Sequence, residues 1–222
     1  FNIDYKDVIL HKEFDKYQTD SVLFSSYVIH KSYLKLHKIA IDSLSNKEVL
    51  TIPPLIEKEE ISSREDKIIV CYFNTNLIIT DIIRVFETFK DINFYIYSNF
   101  SKNYVNTYNS SNVLFCDFGY KFKIQRKKCI GIICSCGFET ICENFQLGLP
   151  MLAIPMNPEQ LFNAYDHSRK IPGFYWSKSI TETDVKKILN FEYTDEYWEK
   201  HKDFCKWLDK KESLKNTIST IL

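Results

Sequence analysis

The chain has 222 residues, with 29 basic and 29 acidic side chains, so its formal net charge at pH 7 is zero. This length suits one large domain or one and a half small ones, and 45% hydrophobic residues are enough for a core. A zero charge balance argues against a nucleic-acid partner, and no apolar run approaches the roughly 18 residues of a membrane-spanning helix.

The first 55 residues look like the last pieces of an α/β unit. They include DSVLFSSYVIH (20–30), a helical KSYLKLHKIAIDS (31–43) and VLTIPP (49–54). Because the chain starts at Phe1 in mid-pattern, we expect a longer protein and interpret residues 1–55 as the remnant of an N-terminal domain. The charged segment 56–66 is predicted to be a linker.

From residue 67 to residue 192, short apolar runs alternate with amphipathic stretches. The apolar runs predict strands near 67–73, 92–98, 112–118, 130–135 and 150–155. The stretches around them predict helices at 76–90, 121–128, 138–148 and 158–170. Strands that alternate with single helices imply a parallel sheet built from right-handed βαβ units. The sequence therefore predicts a doubly wound, Rossmann-like α/β domain.

Residue types at the helix ends support these assignments. Asn157-Pro158-Glu159-Gln160 has the order of a capping box with proline at N1, and Thr181 to Asp184 starts another helix in the same manner. Gly148 ends a helix before the next strand, since glycine takes the C′ position without strain. Residues 193–222 are predicted to form a terminal helical segment.

The seven cysteines lie mostly inside apolar, strand-like runs. Their odd number predicts reduced, buried thiols and a cytoplasmic protein. The four cysteines between residues 129 and 142 raise the alternative of a metal site. No CxxC pair occurs, and no histidine lies beside them at ligand spacing, so the interpretation as structural cysteines is favoured.

Polar residues that could bind a ligand are concentrated between residues 134 and 164. A predicted strand ends at Ser135, and a helix begins after Gly137 with uncovered amides, which favours a bound diphosphate. Glu143 on that helix can accept hydrogen bonds from both hydroxyls of a ribose, and Gln160 can reach a sugar at the same edge of the sheet. Spacing alone leaves the plainer alternative open: a simple turn, a solvated carboxylate and a capping glutamine.

These residues occur in a specific order: Gly137-x-x-Thr140-x-x-Glu143, Gly148-x-Pro150, Pro155 and Gln160-x-x-Asn163-Ala164. The order resembles the donor-site signature of the GT-B glycosyltransferases. It looks closest to the branch that contains the bacterial lipid II-forming N-acetylglucosaminyltransferase. The resemblance extends from about residue 67 to residue 189.

The resemblance implies a site for a nucleotide-sugar donor. In the family, the glutamate matching Glu143 binds the ribose of a UDP-sugar, and the glutamine matching Gln160 contacts the donor sugar, with Glu159 as a second such residue. The segment matching Phe118 and Gly119 borders the uracil. The implied binding set is Phe118, Gly119, Ser135, Cys136, Gly137, Thr140, Glu143, Glu159, Gln160 and Asn163.

The resemblance also implies a reaction: transfer of a sugar from a UDP-sugar such as UDP-GlcNAc to an acceptor hydroxyl, with inversion and without metal or cofactor. In the family the general base comes from the N-terminal half, so no catalytic residue is assigned here. We expect residues 1–222 to bind donor without turning it over, and the last helix to cross back to the missing half. Where many members have a glycine-rich phosphate turn, this chain has Asn74 and Thr75, whose side chains can donate instead.

Three alternatives stay open. The chain could be a non-catalytic donor-binding subunit that needs a separate acceptor-binding partner chain. The basic segment 120–128 could contact a membrane surface or an anionic acceptor, although a solvated helix face is the favoured interpretation. His167 could face the donor site or serve only in packing.

Overall fold

The computed structural model describes residues 56–60, 64, 67–73, 79–98, 110–117, 119–156 and 158–209, and the predictions for residues 1–55, Asn157 and 210–222 lie outside them. The elements are, in chain order, β1 (Ile68–Phe73), α1 (Ile79–Glu87), β2 (Asn93–Ser98), β3 (Val113–Cys116), α2 (Tyr120–Lys128), β4 (Gly131–Cys134), α3 (Phe138–Gln146), β5 (Met151–Ala153), α4 (Pro158–Ser168), β6 (Phe174–Trp176), α5 (Glu182–Leu189) and α6 (Asp195–Asp209). Within the described ranges, no helix has the length and apolarity needed to cross a lipid bilayer.

The six strands form one parallel sheet in the order β3-β2-β1-β4-β5-β6. In its register, Ile69 of β1 lies opposite Phe94 of β2 on one side and Gly131 of β4 on the other. The prediction of a doubly wound parallel sheet is confirmed, and each of the five predicted strands is present. The sixth, β6, was not predicted, because it has only three residues and only Phe174 among them is buried.

Helices cover both faces of the sheet, which explains why β1 is an almost continuous apolar run. Ile68 and Val70 pack in one core cluster with residues of α3, α4 and α6, and with Phe122 of α2 at its margin. Ile69 and Cys71 pack in the other cluster, with residues of α1 and α5. We call α2, α3, α4 and α6 the front layer, and α1 and α5 the back layer.

The back layer is held by close apolar packing. Phe86 of α1 stacks on Phe94 with ring centroids 4.0 Å apart. A Cβ at Gly131 would lie 2.2 Å from Ile188 Cγ2, so the approach of α5 to β4 requires glycine there. The predicted start of α5 is confirmed, since Thr181 and Asp184 form a reciprocal capping box.

In the front layer, α6 packs against α3. Phe145 of α3 contacts Tyr197 and Phe204 of α6, with ring centroids 5.9 and 5.2 Å apart. The predicted crossing of the terminal segment to an N-terminal half stays a prediction. Gly148 after α3 has φ of 64°, which confirms its predicted role at the helix end.

Candidate functional site

The strand order reverses between β1 and β4, and in open α/β sheets this is where ligands bind. At the carboxyl ends of these strands, the Ser135 amide donates to the Tyr72 carbonyl at 3.2 Å. On the other side of β4, the Ile154 amide donates to the Cys134 carbonyl at 2.7 Å. The end of β4, where the β4–α3 turn (residues 135–137) begins, is therefore held by hydrogen bonds to β1 on one side and to the segment after β5 on the other.

In this turn the left-handed backbone conformation falls on a cysteine and not on the glycine. Buried Cys136 has φ of 69°, a region that costs a non-glycine residue about 1–2 kcal/mol. Gly137 has φ of −67° and ψ of 142°, which any residue adopts. Among the described residues, a Cβ at Gly137 would meet only Thr140 Oγ1, at an ordinary 3.7 Å. Since neither backbone nor described packing requires this glycine, it leaves room for the close approach of a ligand.

Two predicted site residues lie on α4, and one of them supports the turn. Buried Asn163 donates from Nδ2 to the Cys136 carbonyl at 3.2 Å. The main-chain carbonyl of Asn163 accepts from His167 Nδ1 at 2.6 Å. Gln160 Oε1 accepts from the Met156 amide at 2.8 Å. Asn163 therefore stabilises the strained turn. The contact of Gln160 with a main-chain amide just before α4 fits the alternative of a capping glutamine.

The first turn of α3 can hold an anion through main-chain groups. No described side chain caps the helix at Gly137, so its first N–H groups and the positive end of its dipole face the β4–α3 turn. The Thr140 hydroxyl lies beside Gly137. Glu139, exposed in the same turn, is an opposing charge.

Glu143, the predicted ribose ligand, lies five residues into α3, about 7.5 Å along the helix axis from its start. Its side chain is 31% exposed. The Oε2 atom accepts a hydrogen bond from Arg126 Nη1 on α2. Oε1 accepts no hydrogen bond from the residues that the structure describes.

Arg126 is a residue that the sequence interpretation missed. A solvated helix face describes Tyr120, Lys121 and Lys123, which are exposed, but it is wrong for Arg126, whose side chain is only 3% exposed. Phe122 and Arg126 are four residues apart and both lie on the inner side of α2. That helical spacing was the signal that could have identified the buried arginine.

Several predicted contacts are not described. Asn74, Thr75 and Phe118 lie outside the described residues, as does the side chain of Glu159. Gly119 is exposed and precedes the first residue of α2, with φ of 153°. The roles of these five residues stay predictions.

All seven cysteines are free thiols. The four between residues 129 and 142 lie in the core cluster of the front layer. Burial raises the pKa of Cys129 to about 12 and that of Cys134 to about 11, so both thiols are neutral near pH 7. No cluster of three His, Cys, Asp or Glu side chains suited to a metal occurs among the described residues.

The doubly wound parallel sheet, with the N-terminus of α3 at its switch point, is a Rossmann-like α/β domain. A family model for glycosyl transferase family 1 matches residues 4–192, which is most of the chain. The chain therefore belongs to glycosyl transferase family 1. Comparison with curated proteins gave no match.

Solved GT-B glycosyltransferases share this fold, as the sequence resemblance implied. SnogD from Streptomyces nogalater is 12% identical, with a TM-score of 0.55 over 78% of this chain and 50% of that chain. VinC, solved with dTDP, is 12% identical, with a TM-score of 0.58 over 81% and 49%. UGT2 of Phytolacca americana, solved with UDP-2-fluoroglucose and pterostilbene, is 14% identical, with a TM-score of 0.55 over 82% and 50%.

At these identities the likeness concerns the fold alone. This chain spans about half the length of the solved proteins that it resembles. The specific likeness to the lipid II-forming branch is not confirmed by these comparisons.

Proposed function

We propose that the chain is the donor-binding part of a glycosyltransferase that transfers a sugar from a UDP-sugar, such as UDP-GlcNAc, to an acceptor hydroxyl. The observation that carries the proposal is the β4–α3 turn. It combines a glycine that described packing does not require with an uncapped helix N-terminus, at the switch point of the sheet. Membership of glycosyl transferase family 1 supports the same function.

In this proposal each part of the donor has its own contacts. The first amides of α3, with Asn74 and Thr75, bind the diphosphate, and Glu143 accepts from the ribose hydroxyls. Gln160 and Glu159 contact the sugar, and the main chain at 118–119 borders the base. The α3 dipole stabilises the leaving diphosphate, so inverting transfer requires no metal.

The acceptor site and the general base belong to the N-terminal half in this scheme. Residues 67–192 bind the donor, residues 1–55 belong to the acceptor side, and the segment after residue 193 crosses back to it. A separate acceptor-binding partner chain is the second way to complete the enzyme. In either case the 222 residues alone bind donor with negligible transfer.

Glu143→Ala tests the proposal through the affinity for UDP. Loss of a charge-assisted contact to the ribose should weaken binding by about 1.5–3 kcal/mol, roughly ten- to a hundredfold in Kd. The free energy of unfolding should change little, because buried Arg126 keeps Glu59 as its counter-ion at 2.8 Å. Calorimetric titration measures the first quantity and urea unfolding the second.

Glu182→Ala is the matched control. It makes the same charge change on α5 of the back layer, where the carboxylate is 52% exposed. This variant should bind UDP like the wild type. Equal UDP affinity for the wild type and Glu143→Ala would rule out the ribose role of Glu143, and absence of UDP binding by the wild type would overturn donor binding itself.

A further inference from the structure

A buried guanidinium joins two carboxylates between α2 and α3. Arg126 donates from Nη1 to Glu143 and from Nη2 to Glu59 at 2.8 Å, and its Cζ lies 5.3 Å from the centroid of the Phe122 ring. The side chains of Arg126 and Glu59 are 3% and 5% exposed. Because arginine stays protonated at all relevant pH values, this buried charge needs an anionic partner.

The two carboxylates are not equivalent. One carboxylate is enough to neutralise the guanidinium, and Glu59 is the one that is buried beside it. Glu143 carries the second negative charge and is 31% exposed, with Oε2 bound to Arg126. A carboxylate held through one oxygen is restricted to few rotamers, while its other oxygen can accept from a ligand hydroxyl.

The segment that carries Glu59 is itself fixed to α3. Gln146, three residues after Glu143, donates from Nε2 to the Glu57 carbonyl at 2.9 Å and accepts from the Glu59 amide at 3.2 Å. Ile56 at the start of the segment is buried in the front-layer core. The contacts therefore close a ring that runs from α3 through residues 56–60 and Arg126 back to α3.

We propose that Arg126 is a positioning residue for nucleotide recognition. It holds the Glu143 carboxylate in the orientation that accepts from the ribose 2′-hydroxyl, and Glu59 fixes Arg126 in turn. This inference rests on the proposed donor-binding function. It adds a positioning residue to that site and a preference for ribonucleotides over 2′-deoxyribonucleotides. The site distinguishes a ribonucleoside diphosphate from its 2′-deoxy counterpart through this arrangement.

The test measures Kd for UDP and for 2′-deoxy-UDP on the 222-residue chain by calorimetry. We expect the wild type to prefer UDP by about tenfold, the value of one charge-assisted hydrogen bond. In Arg126→Met the preference should fall to within about twofold. Arg126→Lys keeps the charge but not the two-nitrogen fork, so it should restore only part of the preference.

Arg126→Met leaves Glu59 buried without a counter-ion, which could prevent folding. The double variant Arg126→Met/Glu59→Gln avoids this problem, and it should likewise lose the preference for UDP. Lys123→Met is the matched control, because Lys123 also joins α2 to the 56–60 segment, through Glu57 at 2.6 Å, but is 52% exposed. It should keep the tenfold preference, with an unchanged Tm.

The results distinguish the positioning role of Arg126 from the proposed ribose contact of Glu143. If Glu143→Ala loses the preference while the folded double variant keeps it, Arg126 has only a structural role and the inference is wrong. If Glu143→Ala binds both nucleotides as the wild type does, the ribose role fails and the inference fails with it. Loss of the preference in both variants, but not in Lys123→Met, supports the positioning role.

Discussion

The two helix layers that cover the sheet differ in what they bury. Of the eleven buried polar or charged residues in the described part of the chain, seven lie on three front-layer helices: Arg126, Asn144, Gln146, Gln160, Asn163, Asp166 and His167. In the back layer, Asp184 is the only one among the described side chains of α1 and α5. Burying polar groups costs free energy unless each finds a partner. The comparison indicates that the described back layer is held mainly by apolar packing, while the front layer combines a core of its own with polar groups, one of which supports the β4–α3 turn.

The largest expected effect lies in the back layer. Phe86 is fully buried and stacked on Phe94. Phe86→Ala should lower the free energy of unfolding by about 3–5 kcal/mol, since it removes a large ring and leaves a cavity. Urea unfolding measures this loss. The fraction that stays folded should bind UDP with wild-type affinity, and a weaker Kd there would show that the layers are not separable.

The fold was predictable because the buried face of a helix or strand produces a regular spacing of apolar residues in the sequence. The apolar runs of β1 to β5 and the caps at Thr181 and Gly148 each report a local preference, and the structure confirms them. The short strand β6 was missed because it has only three residues, of which Phe174 alone is buried, and so short a run shows no such pattern. A short strand is therefore predictable when it lies in a longer apolar run, as β3 and β5 do, but not when glycine and serine bound it closely, as Gly173 and Ser177 bound β6.

The contacts of the candidate site were less predictable, for a different reason. The signature located the β4–α3 turn, but nothing in the residue types indicated that Cys136 and not Gly137 takes the left-handed conformation. The partners of Arg126 are 17 and 67 residues away in the sequence. Periodicity tells which side of a helix is buried, but it does not tell which distant charge will meet it.

The front layer should be sensitive to acid through His167. This side chain is fully buried, and burial lowers its pKa; among the described residues its Nε2 has no hydrogen-bond partner. Below about pH 6.5 the unfolded chain therefore binds a proton that the folded chain does not. The free energy of unfolding should fall as the pH drops from there, by up to about 1.4 kcal/mol per pH unit.

Urea unfolding of the wild type and His167→Gln between pH 7.5 and 5.5 measures this slope. The variant should keep the part of the slope that comes from His201, whose pKa burial also lowers. The part of the slope that comes from His167 should be absent in the variant. Parallel curves for the two proteins would show that His167 does not carry the acid sensitivity.

The smallest expected effect concerns the capping box at the start of α5. Thr181 Oγ1 accepts from the Asp184 amide at 3.2 Å, and the Thr181 amide donates to Asp184 Oδ2 at 3.2 Å. Burial opposes the ionisation of Asp184, but hydrogen bonds from Thr181 and Lys187 lower its pKa overall, so the capping carboxylate is charged near pH 7. Thr181→Ala should therefore cost about 1 kcal/mol of stability.

Thr183→Ala is the control for that variant, because Thr183 is exposed on the same helix. It should change the free energy of unfolding by less than about 0.5 kcal/mol. Neither variant should alter the Kd for UDP, since α5 lies across the sheet from the β4–α3 turn. A change in UDP affinity in Thr181→Ala alone would mean that α5, which contacts β4 where Ile188 packs on Gly131, also adjusts the turn at the end of that strand. The back layer would then take part in donor binding, and the division between the two layers would have to be given up.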